Sequence, residues 1–288
     1  MKLGYPCINT SIGCTANSTF RLASYSRQRL LETVQHNLDC LKKILEWNVE
    51  HGFFFFRIGS PLIPFASHPV CKVNWVSHFK QQFKSIGNYI KKNKIRISMH
   101  PDQFTLINSI DVKILERSIE ELAYHCKVLD ALGLGSSAKV QIHVGGVYGD
   151  KKKSMHRFVE RYKKLPALIK KRLVIENDHV SYSLKDCLEI SKQIGIPVVF
   201  DVYHHECLNN KEPVKNAMQK AKKTWKKKDG KLMVDYSTGR KGKKGSHADH
   251  IDITGFKKFI HETKSIDFDI MLEIKDKEKS AAEAQKFI

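Results

Sequence analysis

Six short apolar stretches of this 288-residue chain each end in, or beside, a side chain that can bind a metal ion. The clearest is Ile95–Met99, which is followed by His100 and then by Pro101. Proline has no N–H to donate to a sheet, so the strand predicted over this stretch must end there. The six side chains at predicted strand ends are His100, His143, Glu176, Asp201, Asp235 and Glu273. Imidazole and carboxylate groups together suit zinc, manganese or iron.

The loops beyond these predicted strands supply further histidines. Among them, His68, His204 and His247 are candidate metal ligands. Four acidic side chains gathered on one small surface would repel each other unless cations held them there. The donors suffice for two or three divalent ions, and clusters of this kind activate water and neutralise phosphate oxygens. The residues therefore predict a metal-dependent phosphodiesterase.

The rest of the chain predicts a scaffold that brings these strand ends together. Short apolar strands alternate with amphipathic helices eight times without a linker-like break. The predicted strands are Lys2–Ile8, Phe53–Ile58, Ile95–Met99, Lys139–Val144, Leu173–Glu176, Val198–Asp201, Leu232–Tyr236 and Phe268–Glu273. The predicted helices are Arg27–His51, Val76–Lys92, Val112–Leu132, Ser154–Ile169, Leu184–Ile194, Val214–Lys227, Gly255–Thr263 and Lys277–Phe287.

Such alternation indicates a parallel sheet with right-handed crossovers. Eight units in a chain of this length favour a single-domain (β/α)8 TIM barrel over residues 1–288. In that fold the active site lies at the carboxyl ends of the strands, where all the candidate ligands would meet. An open doubly wound sheet is the alternative, but no GxGxxG motif follows the first strand to support it.

The charge of the chain points to a polyanionic partner. The formal net charge is +20, from 50 Lys and Arg against 30 Asp and Glu. Much of the excess lies in four runs, Lys151–Lys153, Lys170–Arg172, Lys222–Lys228 and Arg240–Lys244. A solvated lysine-rich surface would explain the runs without a function, whereas binding to nucleic acid would give them one. A sugar isomerase could use a metal-bearing barrel but would leave the charge unexplained. A nucleic-acid-binding module without activity would leave the strand-end ligands unexplained.

Composition also limits where the protein works. No apolar stretch approaches the roughly 20 residues that span a bilayer, and the first residues lack the apolar segment of a signal peptide. Seven scattered cysteines without a CxxC pair predict reduced thiols. We therefore expect a cytoplasmic protein with no membrane partner.

Several motifs, taken in this order and spacing, resemble those of the UV damage endonuclease family, which is related to the endonuclease-IV-type abasic-site nucleases. The motifs span nearly the whole chain and are Leu3-Gly4-Tyr5-Pro6 with Asn9, Phe56-Arg57-Ile58-Gly59-Ser60, Pro64-Phe65-Ala66-Ser67-His68, Met99-His100-Pro101-Asp102-Gln103-Phe104, His143-Val144-Gly145-Gly146, Glu176-Asn177-Asp178, Asp201-Val202-Tyr203-His204-His205 and Gly245-Ser246-His247-Ala248-Asp249. The resemblance implies a metal-dependent nuclease that nicks the damaged strand immediately 5′ of cyclobutane dimers, 6-4 photoproducts and abasic sites. The products would carry 3′-hydroxyl and 5′-phosphate ends. Cleavage of abasic sites alone is the alternative.

The resemblance also implies roles for individual residues. One metal would be held by His100, His143 and Glu176, a second by Glu176, Asp201, Asp235 and Glu273, and a third by His204 and His247, with His68 joining the first group or the phosphate. The ions would be Mn²⁺, with Zn²⁺ or Mg²⁺ as alternatives, and the catalytic residues would be His100, His143, Glu176, Asp201 and Glu273. Damaged double-stranded DNA would contact Tyr5, Asn9, Arg57, Gln103 and Phe104, and the chain would act as a monomer.

Two positions depart from the family pattern. The family usually has Lys-x-His at the end of the seventh strand, with a lysine that can be carboxylated, where this chain has Met233 and Asp235. Met233 cannot carry that modification, and Asp235 replaces a neutral donor with a negative one, so we expect an altered third site or a shifted metal preference. Phe104 stands where a tyrosine is common, and it keeps the stacking face without the hydroxyl.

Overall fold

Eight parallel strands close into a barrel in the computed structural model, which describes residues 1–288. The strands are β1 (Leu3–Pro6), β2 (Phe55–Ile58), β3 (Arg96–Met99), β4 (Lys139–His143), β5 (Leu173–Glu176), β6 (Val198–Asp201), β7 (Leu232–Tyr236) and β8 (Phe268–Leu272). Each strand pairs with its neighbours in the chain, and β8 pairs back onto β1 with Leu3 opposite Ile270. The predicted (β/α)8 barrel is confirmed.

Helices follow the strands on the outside of the barrel. They are α1 (Arg27–Glu50), α2 (Trp75–His78), α3 (Lys80–Lys92), α4 (Val112–Ala131), α5 (Lys151–Lys164), α6 (Ala167–Lys170), α7 (Leu184–Ile194), α8 (Val202–Cys207), α9 (Val214–Lys222), α10 (Ile253–Thr263) and α11 (Glu278–Gln285). Polar side chains begin several of them, since Ser26 accepts the N–H of Arg29 ahead of α1 and Asp150 accepts that of Lys153 ahead of α5. Gly195 ends α7 at a φ of 68°, a left-handed conformation that glycine adopts without strain.

Two predicted helices are interrupted, and one short helix was not predicted. The predicted helix Val76–Lys92 is divided into α2 and α3 at Phe79, and the predicted helix Ser154–Ile169 is divided at Pro166. Proline has no N–H for the helical ladder, which explains the second break. Helix α8 begins directly after β6 with no intervening loop, so its first turn lies at the mouth of the barrel.

The inside of the barrel is layered. Five side chains, Phe55, Val174, Val199, Met233 and Met271, form a buried apolar cluster separate from the 66-residue core. Because side chains of a strand alternate between its two faces, the residue two positions further along each strand also points inward. Those residues are Arg57, Glu176, Asp201, Asp235 and Glu273. An apolar plug therefore lies directly beneath a layer of charged side chains at the carboxyl ends of the strands.

The cysteine prediction requires a correction. Cys14, in the loop after β1, forms a disulfide with Cys40 of α1, and the other five cysteines are free. Their spacing of 26 residues gave no signal in the sequence, because a disulfide depends on the approach of two Cα atoms, here 6.0 Å apart. No helix of the chain combines the length and the hydropathy needed to cross a bilayer.

Candidate metal centre at the mouth of the barrel

The carboxyl ends of six neighbouring strands bring the predicted ligands together. Their ligand atoms form three overlapping groups, each with all atoms within 4.8 Å of one another. The groups are His100, His143 and Glu176; Glu176, Asp201 and His204; and Asp201, Asp235 and Glu273. Glu176 and Asp201 each belong to two groups, so the three groups form one continuous cluster.

Glu176 lies at the centre of the cluster. Its Oε2 atom lies 3.2 Å from Nε2 of His100 and 2.6 Å from Nε2 of Gln141. Its Oε1 atom lies 3.0 Å from Nδ1 of His204. Burial raises the pKa of Glu176, but the imidazoles of His143, His100 and His204 lower it by more, to well below its usual value. The carboxylate is therefore held in the ionised form that binds metals.

One buried ligand oxygen of the second group, Oδ2 of Asp201, has no hydrogen-bond partner. In the first group, Nε2 of His143 lies 3.8 Å from Oε2 of Glu176, which is too far for a hydrogen bond. A buried polar atom left unpaired costs about 1–3 kcal/mol, and more when it is charged. Burial raises the pKa of Asp201 well above its usual value, and the charges of Glu176, Glu273 and Asp235 add to the effect of burial. A divalent cation would satisfy such atoms, so the donor sets of these two groups fit a metal ion.

The third group differs because an arginine side chain already lies within it. Nη2 of Arg57 lies 2.9 Å from each carboxylate oxygen of Asp235, and Nη1 pairs with Oε1 of Glu273. Burial lowers the pKa of Arg57, but the two carboxylates raise it by more. Burial raises the pKa of Asp235 to about 7 against the opposing effect of Arg57. Burial also acts to raise the pKa of Glu273, but Arg57 brings it down to about 2.

The short helix α8 positions His204. Oδ1 of Asp201 accepts the amide N–H of His204 at 2.6 Å and so fixes the first turn of the helix. The imidazole is buried, with Nδ1 within 3.0 Å of both Glu176 Oε1 and the carbonyl oxygen of Asn177. Burial lowers the pKa of His204, but Asp201 and Glu176 raise it to about 11.

Two predicted ligands lie outside the three groups. His247, in the β7–α10 loop, lies close by, with Nε2 3.9 Å from Oε2 of Glu273. His68 is exposed in the loop after β2, where its Nδ1 accepts the amide N–H of Val70 at 3.1 Å. The position of His68 therefore does not support the predicted metal ligation.

The residues predicted to contact DNA divide into an exposed pair and a buried trio. Gln103 and Phe104 are exposed on the β3–α4 loop, and Phe104 is 73% exposed. Tyr5 and Asn9 are buried, and Nδ2 of Asn9 donates to the Tyr5 hydroxyl at 2.8 Å. Arg57 is buried between two carboxylates. Tyr5, Asn9 and Arg57 all have hydrogen-bond partners inside the protein, so their positions do not support the predicted contact with DNA.

The sequence reasoning missed Gln141, which joins two of the groups. Its Nε2 donates to Oε2 of Glu176 and to Oδ2 of Asp235. A signal was present, because Gln141 precedes His143 by two residues and so lies on the same face of β4.

Asn177 and His179 were also missed. Oδ1 of Asn177 accepts the amide N–H of Asp201 at 3.0 Å, and its Nδ2 donates to the Asp201 carbonyl at 2.9 Å, which ties β5 to β6. The ring of His179 lies 5.1 Å from that of His204. Both lie in an irregular loop, where no periodicity indicates which way a side chain points.

A closed (β/α)8 barrel whose mouth gathers buried carboxylates and imidazoles in groups that could hold cations defines a TIM-barrel protein with a candidate metal site. The sequence profile of the UV-endonuclease UvdE family matches residues 1–285. The chain belongs to this family of UV DNA damage endonucleases, which are enzymes of DNA repair.

Individual relatives agree with this placement. The UV DNA damage endonuclease of Clostridium perfringens (strain 13 / Type A) is 43% identical over 284 residues, which cover 98% of this chain and 69% of that protein. The UV DNA damage endonuclease of Bacillus thuringiensis subsp. konkukian (strain 97-27) is 37% identical, over 96% of this chain and 91% of that one. The crystal structure of SacUVDE is similar with a TM-score of 0.95 and 47% identity, over 99% of this chain and 97% of that chain.

More distant structures share the fold alone. Endonuclease IV from Thermus thermophilus has a TM-score of 0.59 at 15% identity, over 85% of this chain and 91% of that chain. D-psicose 3-epimerase from Clostridium cellulolyticum H10 has a TM-score of 0.53 at 14% identity, over 81% of this chain and 79% of that chain. Because nucleases and sugar epimerases both have this fold, the fold by itself does not select a reaction.

Proposed function

We propose that the chain is a metal-dependent hydrolase that nicks the damaged strand of duplex DNA immediately 5′ of a lesion. The lesions are cyclobutane dimers, 6-4 photoproducts and abasic sites, and the products carry 3′-hydroxyl and 5′-phosphate ends. Membership of the UV-endonuclease family supports the nuclease activity. The observation that carries the metal-dependent mechanism is the position of Glu176, which is shared between two ligand groups, the second of which contains the unpartnered Oδ2 of Asp201.

The first two groups contain the residues that would hold the metal ions, and Mn²⁺ is the ion we propose, with Zn²⁺ or Mg²⁺ as alternatives. Bound ions would neutralise phosphate oxygens and lower the pKa of a water molecule for in-line displacement. His100, His143, Glu176, Asp201 and Glu273 are the proposed catalytic residues. The surrounding protein keeps the ligands in place, since Gln141 donates to the carboxylates of Glu176 and Asp235 and Arg57 pairs with those of Asp235 and Glu273.

Exposed apolar side chains on the mouth side support recognition of a distorted duplex. Phe104, Ile110, Val112, Tyr148 and Val180 are all exposed, and they lie on or at the ends of the loops that follow β3, β4 and β5. Of these, the aromatic rings of Phe104 and Tyr148 can stack on unpaired bases. We propose that Gln103 and Phe104 enter the duplex at the lesion, where the bases are poorly stacked and extrusion costs less.

Only two of the four basic runs lie on the mouth side of the barrel. Lys151–Lys153 begins α5, which follows β4, and Arg240–Lys244 lies in the loop after β7. Lys170–Arg172 and Lys222–Lys228 precede β5 and β7 and so lie at the opposite end. We propose that the duplex phosphates contact the first two runs, which position the DNA without reading its sequence.

A nicking assay tests this function. Labelled duplexes that carry a photodimer, an abasic site or no lesion are incubated with the chain and Mn²⁺, and a parallel reaction contains a chelator. We expect nicking immediately 5′ of both lesions, none in the undamaged duplex, and loss of activity with the chelator. Sizing by gel filtration tests whether the active species is the proposed monomer. Because DNA is its substrate, we also propose that the protein works inside the cell.

Other outcomes would change the proposal. Cleavage of the abasic duplex alone would replace photoproduct repair with abasic-site cleavage. Full activity in the chelator would remove the metal from the mechanism, and a nick on the 3′ side of the lesion would contradict the proposed position of the cut.

A further inference from the structure

We propose that this chain holds two divalent ions rather than three, and that the guanidinium of Arg57 takes the place of the third cation. The inference rests on the proposed metal-dependent function and specifies its metal content. It assigns different roles to the carboxylates of Asp201 and Asp235, which lie opposite each other on the paired strands β6 and β7.

The two carboxylates have different partners. Oδ2 of Asp201 is buried without a hydrogen bond, and its nearest basic neighbour, Nδ1 of His204, lies 3.6 Å away, so a cation could still bind this oxygen. Both oxygens of Asp235 are already used, because Nη2 of Arg57 lies 2.9 Å from each of them and Nε2 of Gln141 donates to Oδ2. The same guanidinium pairs with Oε1 of Glu273. A metal ion at Asp235 would have to break these interactions.

The residue type at position 235 explains why Arg57 can occupy this place. A carboxylate accepts charge-assisted hydrogen bonds from arginine on both of its oxygens. A neutral side chain at this position would offer Arg57 no such pair. Met233, two residues earlier on the same face of β7, lies in the apolar plug and is fully buried, so no hard ligand lies beneath Asp235.

The balance of charge favours the same number of ions. The cluster contains four carboxylates, those of Glu176, Asp201, Asp235 and Glu273, and one guanidinium. Two divalent ions balance the four carboxylates and leave only the single positive charge of Arg57. A third divalent ion would leave several uncompensated positive charges in a buried site, which is strongly unfavourable.

Counting bound metal tests the inference without any DNA. The full chain is saturated with Mn²⁺, passed over a desalting column and analysed by plasma mass spectrometry, and calorimetric titration gives the affinities. Two isosteric variants form a matched pair, Asp201→Asn and Asp235→Asn. We expect two bound ions in the unmodified chain and two in Asp235→Asn with affinities within about threefold. Asp201→Asn should lose one ion or bind it at least thirtyfold more weakly. Thermal unfolding of the metal-free proteins shows whether each variant is folded.

Three ions in the unmodified chain would overturn the inference, as would a loss in Asp235→Asn equal to that in Asp201→Asn. Should Asp235→Asn fail to fold, the ion count of the unmodified chain still decides the question. The two proposals fail separately: three bound ions would leave the nuclease function standing, whereas two bound ions without lesion-dependent nicking would overturn the function and leave the count intact.

Discussion

His204 and Glu176 lie on different elements, the helix α8 and the strand β5, yet Nδ1 of His204 lies 3.0 Å from Oε1 of Glu176. The opposite oxygen of the same carboxylate lies 3.2 Å from Nε2 of His100. Glu176 therefore has one ligand group on each side, and its two oxygens can serve two cations at once. A change at this single residue should disturb both groups.

Replacement of Glu176 by glutamine should abolish most of the nicking activity. The Glu176→Gln side chain keeps its size but loses the negative charge shared by two ligand groups, so we expect the nicking rate to fall by roughly a hundredfold to a thousandfold or more. The rate is measured on a photodimer duplex, and circular dichroism checks the fold. Glu189→Gln, at an exposed position of α7, is the control and should keep full activity. A normal nicking rate in Glu176→Gln would contradict the proposal that Glu176 is a catalytic residue.

Truncation of Phe104 should weaken lesion recognition without weakening the fold. The side chain is 73% exposed, so Phe104→Ala removes little packing. Loss of base stacking should cost about 1–3 kcal/mol, which weakens lesion binding by roughly fivefold to 150-fold. Phe104→Tyr should retain binding because it keeps the aromatic face, and Gln103→Ala should reduce photodimer nicking.

Fluorescence anisotropy with a photodimer duplex measures the affinity of these variants. Phe287→Ala, at a partly exposed position beyond α11, is the matched control for loss of an aromatic ring and should bind normally. Unchanged binding and nicking by both Phe104→Ala and Gln103→Ala would contradict a role for this loop in recognition.

Removal of charge from the β7–α10 loop should reduce the salt dependence of DNA binding. Lys241, Lys243 and Lys244 are exposed on the mouth side of the barrel. Their replacement by glutamine should lower the slope of log Kd against log salt by about 0.9 for each phosphate that is no longer neutralised. The control variant replaces Lys226, Lys227 and Lys228, which carry the same charge at the opposite end of the barrel. Equal slopes for the two variants would refute the proposed binding face.

The dependence of stability on pH should include a contribution from Glu278. This buried carboxylate of α11 accepts the amide N–H of Thr10 at 3.0 Å and the hydroxyl of Ser11 at 2.8 Å. Burial acts to raise the pKa of Glu278, but hydrogen bonds from Thr10 and Ser11 lower it by more. A pKa lower in the folded state than in the unfolded state stabilises the fold above the unfolded value, about 4.3. The stabilisation disappears as the pH falls through the folded pKa.

Glu278→Gln should therefore lose about 1–3 kcal/mol of unfolding free energy at pH 7. The difference in unfolding free energy between this variant and the unmodified chain should shrink as the pH falls below the pKa of Glu278 in the unfolded state. Urea unfolding at neutral and acid pH measures both quantities, with Glu189→Gln as the exposed control. A difference in unfolding free energy of the same size at both pH values would show that the ionisation of Glu278 does not contribute to stability.

The sequence by itself determined the barrel and the side chains at its mouth. Strands β5, β6 and β7 have the predicted bounds because each is a short apolar run with a polar residue at or near its carboxyl end. Alternation of side chains is a local property of an extended backbone, so it also predicts that Glu176, Asp201 and Asp235 share the inner face of the barrel. The helix interruption at Phe79 carried no such local signal.

Only the tertiary structure decided which partner each side chain has. In the sequence, Asp201 and Asp235 are equivalent acidic residues at strand ends, but the closed barrel places Arg57 against Asp235 and leaves one oxygen of Asp201 without a hydrogen bond. Arg57 and Asp235 are separated by 178 residues. Their contact depends on the curvature and register of all eight strands, and no periodicity within one strand contains that information.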